Sequence, residues 1–358
     1  MVHYALRGLA VGVAISTAVF FYTVSPETLK QLKALPRWYL LPPFGLVVCS
    51  WMFNGGRLWL LCRSMGYSLG YPTALAISLS SEFGVAASPA GVGGAAIRLS
   101  LMKTAGIPLS TGTSLMVADF VTDLIFFSLV TPFSFFVFAT DQGWIVWRGF
   151  MNVILLSLIP IVLSFCLLMI VLLSRGTLWR FARWVAALTP WGRQNRLGDR
   201  IEEVRCNIIV HFARVRSMTK FLVQRRQSAL FANTILAAGH WCCRYGVLPL
   251  LLFGFSRMQN WFPLISIQGF LFAVSLLVVL PGGGGGIEII MSLILQQFVP
   301  LSFVGIVLVL WRFYTFHVYL LVGGIVFCLF YNSREFLPSP PPSQDQAVAP
   351  LIQSGLQT

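Results

Sequence analysis

The composition of this chain excludes a soluble globular protein. Of its 358 residues, 57% are hydrophobic and only 10% are charged, whereas soluble domains carry about 25% charged residues. The net charge of +14 is concentrated in residues 175–226, which hold twelve Arg or Lys and three Asp or Glu. A basic loop between apolar segments is typical of the cytoplasmic face of a membrane protein. We therefore expect membrane lipids, and no nucleic acid, as partners.

Apolar segments of about 20 residues predict membrane-spanning helices. Six segments have the length for one crossing, namely 5–24, 38–62, 108–139, 144–174, 228–254 and 302–331. Two further segments, 72–106 and 263–299, are too long for one crossing, and Pro-Gly runs interrupt them. The sequence therefore predicts an all-α polytopic membrane domain over residues 1–334. The proline-rich and polar tail, 335–358, is predicted to be disordered.

The two interrupted segments contain nearly the same sequence, 192 residues apart. Pro89-Ala-Gly-Val-Gly-Gly94 and Pro281 with five glycines are the matching turns, and each is followed by a Pro-Leu-Ser sequence. The pieces 94–106 and 287–299 that follow the turns correspond to about 20 Å of helix, too short to cross. We predict two re-entrant helical hairpins. Duplicated breaks of this kind mark binding sites between the halves of transporters.

The number of crossings sets the orientation of these hairpins. Two spans precede the first hairpin and five precede the second, so the two repeats, about 38–139 and 228–331, are predicted to be inverted. The basic loop follows four spans, and the positive-inside rule places it and both termini in the cytoplasm. We expect a multi-pass protein of a bacterial inner membrane. If each hairpin instead crosses once, the chain has eight spans and both termini lie outside.

Ionisable residues within apolar spans are costly and are therefore candidates for function. They are Arg57, Glu82, Arg98, Asp119, Asp123, His240, Arg244, Glu288, Arg312 and His317. Each repeat places one charge after its turn and the opposite charge on the following long helix. The first repeat has Arg98 followed by Asp119 and Asp123, and the second has Glu288 followed by Arg312. The signs are thus exchanged between the two repeats.

The two turns suggest a substrate site. Glycine-rich turns expose backbone N–H groups, and short helices that begin near Gly94 and Gly286 would attract anions. Arg98 would add a bidentate phosphate contact, and Glu288 would bind a cationic headgroup or a proton. The predicted substrate-binding residues are Arg98, Glu288, Arg312, Asp119, Asp123, Pro89, Gly91, Gly93, Gly94, Pro281, Gly283, Gly285 and Gly286, with Arg57, Glu82, His240 and Arg244 as secondary candidates. No catalytic residue, cofactor or metal site is predicted.

A structural interpretation of the same residues stays open. Arg98 with Asp119 or Asp123, and Glu288 with Arg312, would then be buried ion pairs that hold the halves together. The glycines would permit close packing of helix ends. The two aspartates lie four residues apart on one helix face, so they would form a proton site or neutralise an arginine.

The secondary candidates have structural interpretations as well. His240 and Arg244 lie four apart and have the spacing of a buried polar bridge. Arg57 follows two glycines near a predicted helix end, where its side chain would extend to the membrane interface. Glu82 precedes the first turn by seven residues and would line the same cavity. His317 is interpreted as a packing residue.

These turns and arginines resemble the lysylphosphatidylglycerol synthase transmembrane region, also called the flippase-like domain family. The matching residues are Pro89, Gly93, Gly94 and Arg98 in the first motif, Pro281, Gly282, Gly283, Gly285 and Glu288 in the second, and the arginines Arg57 and Arg312. Ala95 stands where the family often has an acidic residue. The resemblance covers roughly 5–331 and implies a membrane lipid translocase. Because no aminoacyl transferase domain follows, we do not expect lysyl-lipid synthesis.

The sequence therefore predicts a translocase for a phospholipid or a polyprenyl-phosphate-type lipid. Three alternatives stay open. One is an ion-coupled transporter of small solutes. Another is a membrane-embedded enzyme of lipid metabolism that uses His240 with Asp119. A third is a non-transporting partner of a glycosyltransferase, which the basic loop would serve.

Overall fold

The computed structural model describes part of the chain, and that part is helical. It covers 36–88, 91–142, 214–215, 217–255, 264–265, 268–269, 271, 286–296 and 299–332, with the isolated residues Phe21, Pro26, Lys30, Lys33 and Val162. The predicted spans 5–24 and 144–174, apart from two isolated residues, lie outside the described residues. So do most of the basic loop and the tail, 335–358.

The helices that position the candidate residues are named in chain order. They are α1 (Leu41–Ser64), α2 (Tyr71–Ala87), α3 (Val92–Thr104), α4 (Leu109–Gln142), α5 (Gln227–Phe255), α6 (Gly286–Leu295), α7 (Leu301–Arg312) and α8 (Val318–Asn332). A 3-10 turn, Arg37–Leu40, precedes α1, and a π-helical turn, Phe313–His317, joins α7 to α8. Proline lies in the first turn of α1 and of α2, where its missing N–H costs little.

Four helical stretches of the described chain are long and apolar enough to cross a membrane. They are Trp38–Ser64, Leu109–Phe127, Gln227–Phe253 and Leu301–Phe330. They coincide with four of the six predicted spans, so the prediction of an all-α multi-pass membrane protein is confirmed for the described part. With 17 and 13 residues, α2 and α3 are shorter than the about 20 residues that a spanning helix needs.

The helices α2 and α3 pack tightly against each other as a hairpin. Gly91, with a φ of +70°, occupies the left-handed region directly before α3. A Cβ on Gly84 would lie 2.6 Å from the carbonyl oxygen of Gly93, and a Cβ on Gly94 would lie 2.3 Å from Cγ2 of Val85. Only glycine permits this backbone contact, so the close-packing interpretation of Gly93 and Gly94 is confirmed.

The hairpin is also held by α8. A Cβ on Gly323 would lie 2.6 Å from the carbonyl oxygen of Leu79 in α2. The rings of Phe83 and Phe327 stack with their centroids 5.7 Å apart. α2 is therefore enclosed by α1, α3 and α8, and its polar side chains face these neighbouring helices.

Two apolar clusters lie at opposite ends of α1. Leu58 and Leu61, near its C-terminus, share one cluster with Leu101 of α3. Val47, near its N-terminus, shares the other cluster with Met291 of α6 and with residues of α5, α7 and α8. At about 1.5 Å per residue, the two ends are separated by about 20 Å along α1. Each short helix therefore shares an apolar cluster with a different end of α1.

Candidate functional site

Four charged side chains from three helices meet at the centre of the first repeat. Nη2 of Arg57 lies 2.8 Å from Oδ1 of Asp123 and 3.3 Å from Oδ1 of Asp119. Arg98 of α3 forms an ion pair with Oδ2 of Asp119. We refer to Arg57, Arg98, Asp119 and Asp123 as the arginine–aspartate cluster. Its two positive and two negative charges balance, and the predicted pairing of Arg98 with an α4 aspartate is confirmed.

Neutral donors of α5 orient the two carboxylates. Nδ2 of Asn233 donates to Oδ1 of Asp119 at 3.0 Å and to Oγ1 of Thr122 at 2.9 Å. Nε1 of Trp241 donates to Oδ1 of Asp123 at 2.7 Å. Both aspartates therefore have partners on at least two helices, which offsets part of the cost of burying their charge.

The prediction that Arg57 extends to the membrane interface is wrong. Arg57 is 3% exposed, and its Nη2 also donates to the backbone oxygen of Asp119 at 3.0 Å. The side chain turns inward because two aspartates offer charge partners there. Two residues earlier, Gly55 lets α2 approach α1 closely, since a Cβ there would lie 2.9 Å from Cα of Leu75.

The cluster holds buried donors that have no acceptor within the described part of the chain. These are Nε of Arg57 and Nε of Arg98. A guanidinium nitrogen can only donate, and leaving such a donor buried without a partner costs about 1–3 kcal/mol. Oδ1 of the neighbouring Asn233 is a buried acceptor that likewise has no described partner. The two guanidinium N–H groups leave the cluster able to donate to a group rich in acceptor oxygens.

A second ion pair joins the hairpin to α5. Nη1 of Arg244 lies 2.8 Å from Oε2 of Glu82, and Nδ2 of Asn54 donates to Oε1 of the same carboxylate at 3.0 Å. Cζ of Arg244 lies 4.3 Å from the ring centroid of Tyr319 in α8, a cation–π contact. This pair ties α1, α2, α5 and α8 together at one point.

His240 belongs to a polar bridge beside this pair. Its Nδ1 lies 3.0 Å from Oγ of Ser50, which lies 3.1 Å from the hydroxyl of Tyr319. The bridge connects α5 with α1 and α8, as the spacing of His240 and Arg244 indicated. The described hydrogen bonds of His240 and those of Asp119 are with different groups.

The ion pair of the second repeat has a more enclosed setting. Nη2 of Arg312 in α7 lies 2.6 Å from Oε1 of Glu288 in α6, and the two side chains are 8% and 3% exposed. Cζ of Arg312 lies 5.4 Å from the ring of Trp311 and 5.3 Å from the ring of Phe316. The predicted pairing of Glu288 with Arg312 is thereby confirmed. Nδ1 of His317 lies 3.1 Å from the backbone oxygen of Arg312.

The predicted site residues thus fall into separate groups. Arg98 lies in the arginine–aspartate cluster, whereas Glu288 and Arg312 lie on α6 and α7, which share an apolar cluster with Val47 near the N-terminus of α1. Glu82 and Arg244, which were predicted as secondary candidates, form a pair of their own between α2 and α5. Four predicted positions lie outside the described residues: Pro89, Pro281, Gly283 and Gly285. Gly286 is the first residue of α6.

The first turn differs from the open N–H donor group that the sequence predicted. The helix α3 begins at Val92 instead of near Gly94. The N–H of Gly93 donates to Oγ of Ser88 at 2.7 Å, and that hydroxyl donates to the carbonyl oxygen of Gly84 at 2.7 Å. An anion at this turn would have to displace the Ser88 hydroxyl. The turn is therefore organised by contacts within the protein.

Several charged side chains near the centre are only partly covered. The exposed fraction is 23% for Asp123, 14% for Glu82, and 12% each for Arg98 and Arg244. An ionised group within a membrane domain is tolerated where it faces protein or water rather than lipid. These four side chains lie on α2, α3, α4 and α5, one on each helix. We refer to the four side chains as the polar recess.

Sequence patterns did not indicate several neutral members of the site. They are Asn54, Thr122, Asn233, Trp241 and Tyr319. A signal for two of them exists in their spacing, because residues three, four or seven apart share a helix face. Asn54 precedes Arg57 by three residues, and Asn233 precedes His240 by seven. These neutral residues carry no charge that would mark them within an apolar span.

Comparison with known proteins places the chain in a family. The profile of the family described as lysylphosphatidylglycerol synthase TM region matches residues 9–323. A protein of Archaeoglobus fulgidus described as a UPF0104 membrane protein is 23% identical over 318 residues, which cover 89% of this chain and 94% of that relative. The matched range includes the first repeat, most of the second and all the ion pairs described above. The chain belongs to the lysylphosphatidylglycerol synthase TM region family of membrane proteins.

Proposed function

We propose that the protein is a membrane lipid translocase that moves a phosphate-bearing lipid between the two leaflets. The observation that carries the proposal is the convergence of Arg57 and Arg98 on Asp119, with a buried Nε–H on each arginine that has no acceptor in the described chain. Phosphate oxygens are strong acceptors, and arginine binds them through two parallel hydrogen bonds. A phospholipid or a polyprenyl-phosphate-type lipid would supply such a group.

The proposed topology has six crossings and two re-entrant hairpins, with both termini in the cytoplasm and the protein in the bacterial cell membrane. Three observations support it. The second helix of the first hairpin, α3, has 13 residues and is too short to cross. The short helices α3 and α6 share apolar clusters with opposite ends of α1, an arrangement compatible with inverted repeats. The basic loop, 175–226, supports a cytoplasmic position for its face.

The contacts suggest how headgroup binding would change the protein. Arg98 belongs to the hairpin, and Asp119 belongs to α4. A phosphate that accepts from Arg98 would compete with Asp119, which would keep Arg57 and Asn233 as partners. Binding would thereby loosen the hairpin from α4. This exchange of ion-pair partners is a way to couple headgroup entry to movement of the hairpin, and it needs no chemical step.

The test is leaflet-resolved transport in proteoliposomes. A tail-labelled fluorescent lipid is loaded symmetrically, and a membrane-impermeant reductant destroys the label in the outer leaflet. We expect the parent to move label outward, and Arg98→Gln to slow this by about tenfold or more, because a hydrogen bond to a charged group is worth about 1.5–3 kcal/mol.

Lys103→Gln is the matched control, since Lys103 is an exposed basic residue on the same helix. It should transport at the parent rate. Equal rates for Arg98→Gln and the parent would contradict the headgroup site. Uptake of a water-soluble anion without lipid movement would favour the small-solute alternative.

A further inference from the structure

The charges around the polar recess balance without a ligand. Three arginines face three carboxylates in two neighbouring groups of ion pairs, the arginine–aspartate cluster and the Glu82–Arg244 pair. The two parts are close enough to influence each other, since Glu82 interacts electrostatically with both Arg98 and Arg244. A ligand with a net charge would leave that charge uncompensated in a poorly hydrated site, which is costly.

The recess also offers a place for a positive group. Oε2 of Glu82 is held by Arg244, but the described partner of Oε1 is the neutral amide of Asn54. The carboxylate is 14% exposed, so a cation can reach it from the recess. The ring of Tyr319 already receives the guanidinium of Arg244. A cation at Glu82 would therefore be bound by hydrogen bonds rather than by an aromatic face.

A buried hydroxyl gives an independent sign that a polar group is missing. Tyr245 is 4% exposed, and its hydroxyl has no hydrogen-bond partner within the described part of the chain. That hydroxyl interacts electrostatically with Arg244, Asp123 and Glu82, which are three of the four side chains of the recess. A buried hydroxyl normally has a partner. A ligand in the recess would provide one.

We propose that the recess selects a zwitterionic headgroup that carries one phosphate and one primary ammonium group. The phosphate binds Arg98, and the ammonium donates hydrogen bonds to Oε1 of Glu82. This assignment rests on the proposed function and adds its substrate class. A primary ammonium fits better than a quaternary one, because only the former has N–H groups to donate. An anionic headgroup without an amine would place its negative charge near Glu82 with no compensation.

The first experiment measures binding, so that it does not depend on transport. Short-chain phosphatidylethanolamine, phosphatidylcholine and phosphatidylglycerol are added to the detergent-purified protein, and the rise in unfolding temperature is recorded. We expect the ethanolamine lipid to stabilise the parent most. Glu82→Gln should abolish this preference without lowering stabilisation by the glycerol lipid. Equal stabilisation by all three lipids in the parent would overturn the proposal.

The second experiment separates this proposal from the proposed function. Tail-labelled versions of the three lipids are compared in proteoliposomes with the parent, Glu82→Gln and the milder Asn54→Ala, which leaves both charges of the ion pair. We expect at least about tenfold faster movement of the ethanolamine lipid in the parent, a difference of about 1.4 kcal/mol, and a smaller preference in both variants.

Each outcome has one interpretation. Selective binding without movement of any lipid would support the headgroup site and contradict translocation. Movement of all three lipids at equal rates would support translocation and contradict the zwitterion. If Glu82→Gln lowers the transport rate of all three lipids equally, and Asn54→Ala keeps the preference for the ethanolamine lipid, Glu82 has a structural role only.

Discussion

The two repeats contain corresponding ion pairs in different surroundings. Each has an ion pair between its short helix and the following long helix, Arg98 with Asp119 and Glu288 with Arg312. In the first repeat Asp119 has a second arginine and an asparagine as partners, and Arg98 is 12% exposed. In the second repeat Arg312 is 8% exposed, and the carboxylates are 7% exposed in the first repeat and 3% in the second. The first pair is therefore the less enclosed one, which fits the proposed exchange of partners with a ligand, whereas the second is suited to fastening α6 to α7.

The largest expected effect comes from removing one partner of the enclosed pair. Arg312→Gln removes an ion-pair partner from a carboxylate that is only 3% exposed, and such a change costs about 3–5 kcal/mol. Arg98→Gln should cost less, about 1.5–3 kcal/mol, because Asp119 keeps Arg57 and Asn233. Thermal unfolding in detergent measures both variants against the parent.

The double variant Glu288→Gln with Arg312→Gln is the control for this comparison. It removes both charges, so it should recover much of the stability that Arg312→Gln loses. If Arg98→Gln proves the more destabilising single change, the two repeats have the opposite roles from those inferred here.

The ion pair between the short helix and the following long helix of each repeat was predictable from the sequence, because the repeat placed opposite charges at corresponding positions. The Glu82–Arg244 pair was not, since its partners are 162 residues apart and belong to helices that no local pattern connects. The position of Arg57 was misjudged for a different reason. The predicted span ended at 62, and two glycines suggested a helix end, but α1 continues to Ser64. Only the aspartates of α4 determine that Arg57 turns inward.

The first turn shows a similar limit of sequence patterns. The Pro-Gly run correctly indicated that the helix breaks between α2 and α3. It did not distinguish glycines that bend the chain from glycines that permit contact. Gly91 has a positive φ, whereas Gly93 and Gly94 lie within α3 and touch α2. That distinction depends on the partner helix, which a run of glycines does not specify.

The second prediction concerns that contact between α2 and α3. Gly94→Ala should destabilise the protein by about 1–3 kcal/mol, as overpacking does, because its Cβ would lie 2.3 Å from Cγ2 of Val85. Val85→Ala in the same chain should restore part of the loss by removing the clashing methyl group. Gly56→Ala is the control, since its Cβ would meet its nearest atom only at 3.8 Å. Unfolding temperatures of the four proteins test this. A Gly94→Ala variant as stable as Gly56→Ala would mean that the hairpin is not tightly packed.

The smallest expected effect on stability concerns the recess of the first repeat. Tyr245→Phe removes a buried hydroxyl that has no described partner, so the unliganded protein should be as stable as the parent or slightly more stable. If the hydroxyl contacts a bound headgroup, the same variant should lose part of the stabilisation that added phosphatidylethanolamine provides. Unfolding temperatures with and without the lipid measure both effects in one protein.

A loss of stability without lipid would show that the hydroxyl already has a partner, and the recess would then offer one fewer free group to a ligand. An unliganded variant at parental stability with weaker stabilisation by lipid would connect Tyr245 to binding, because packing alone does not produce that combination.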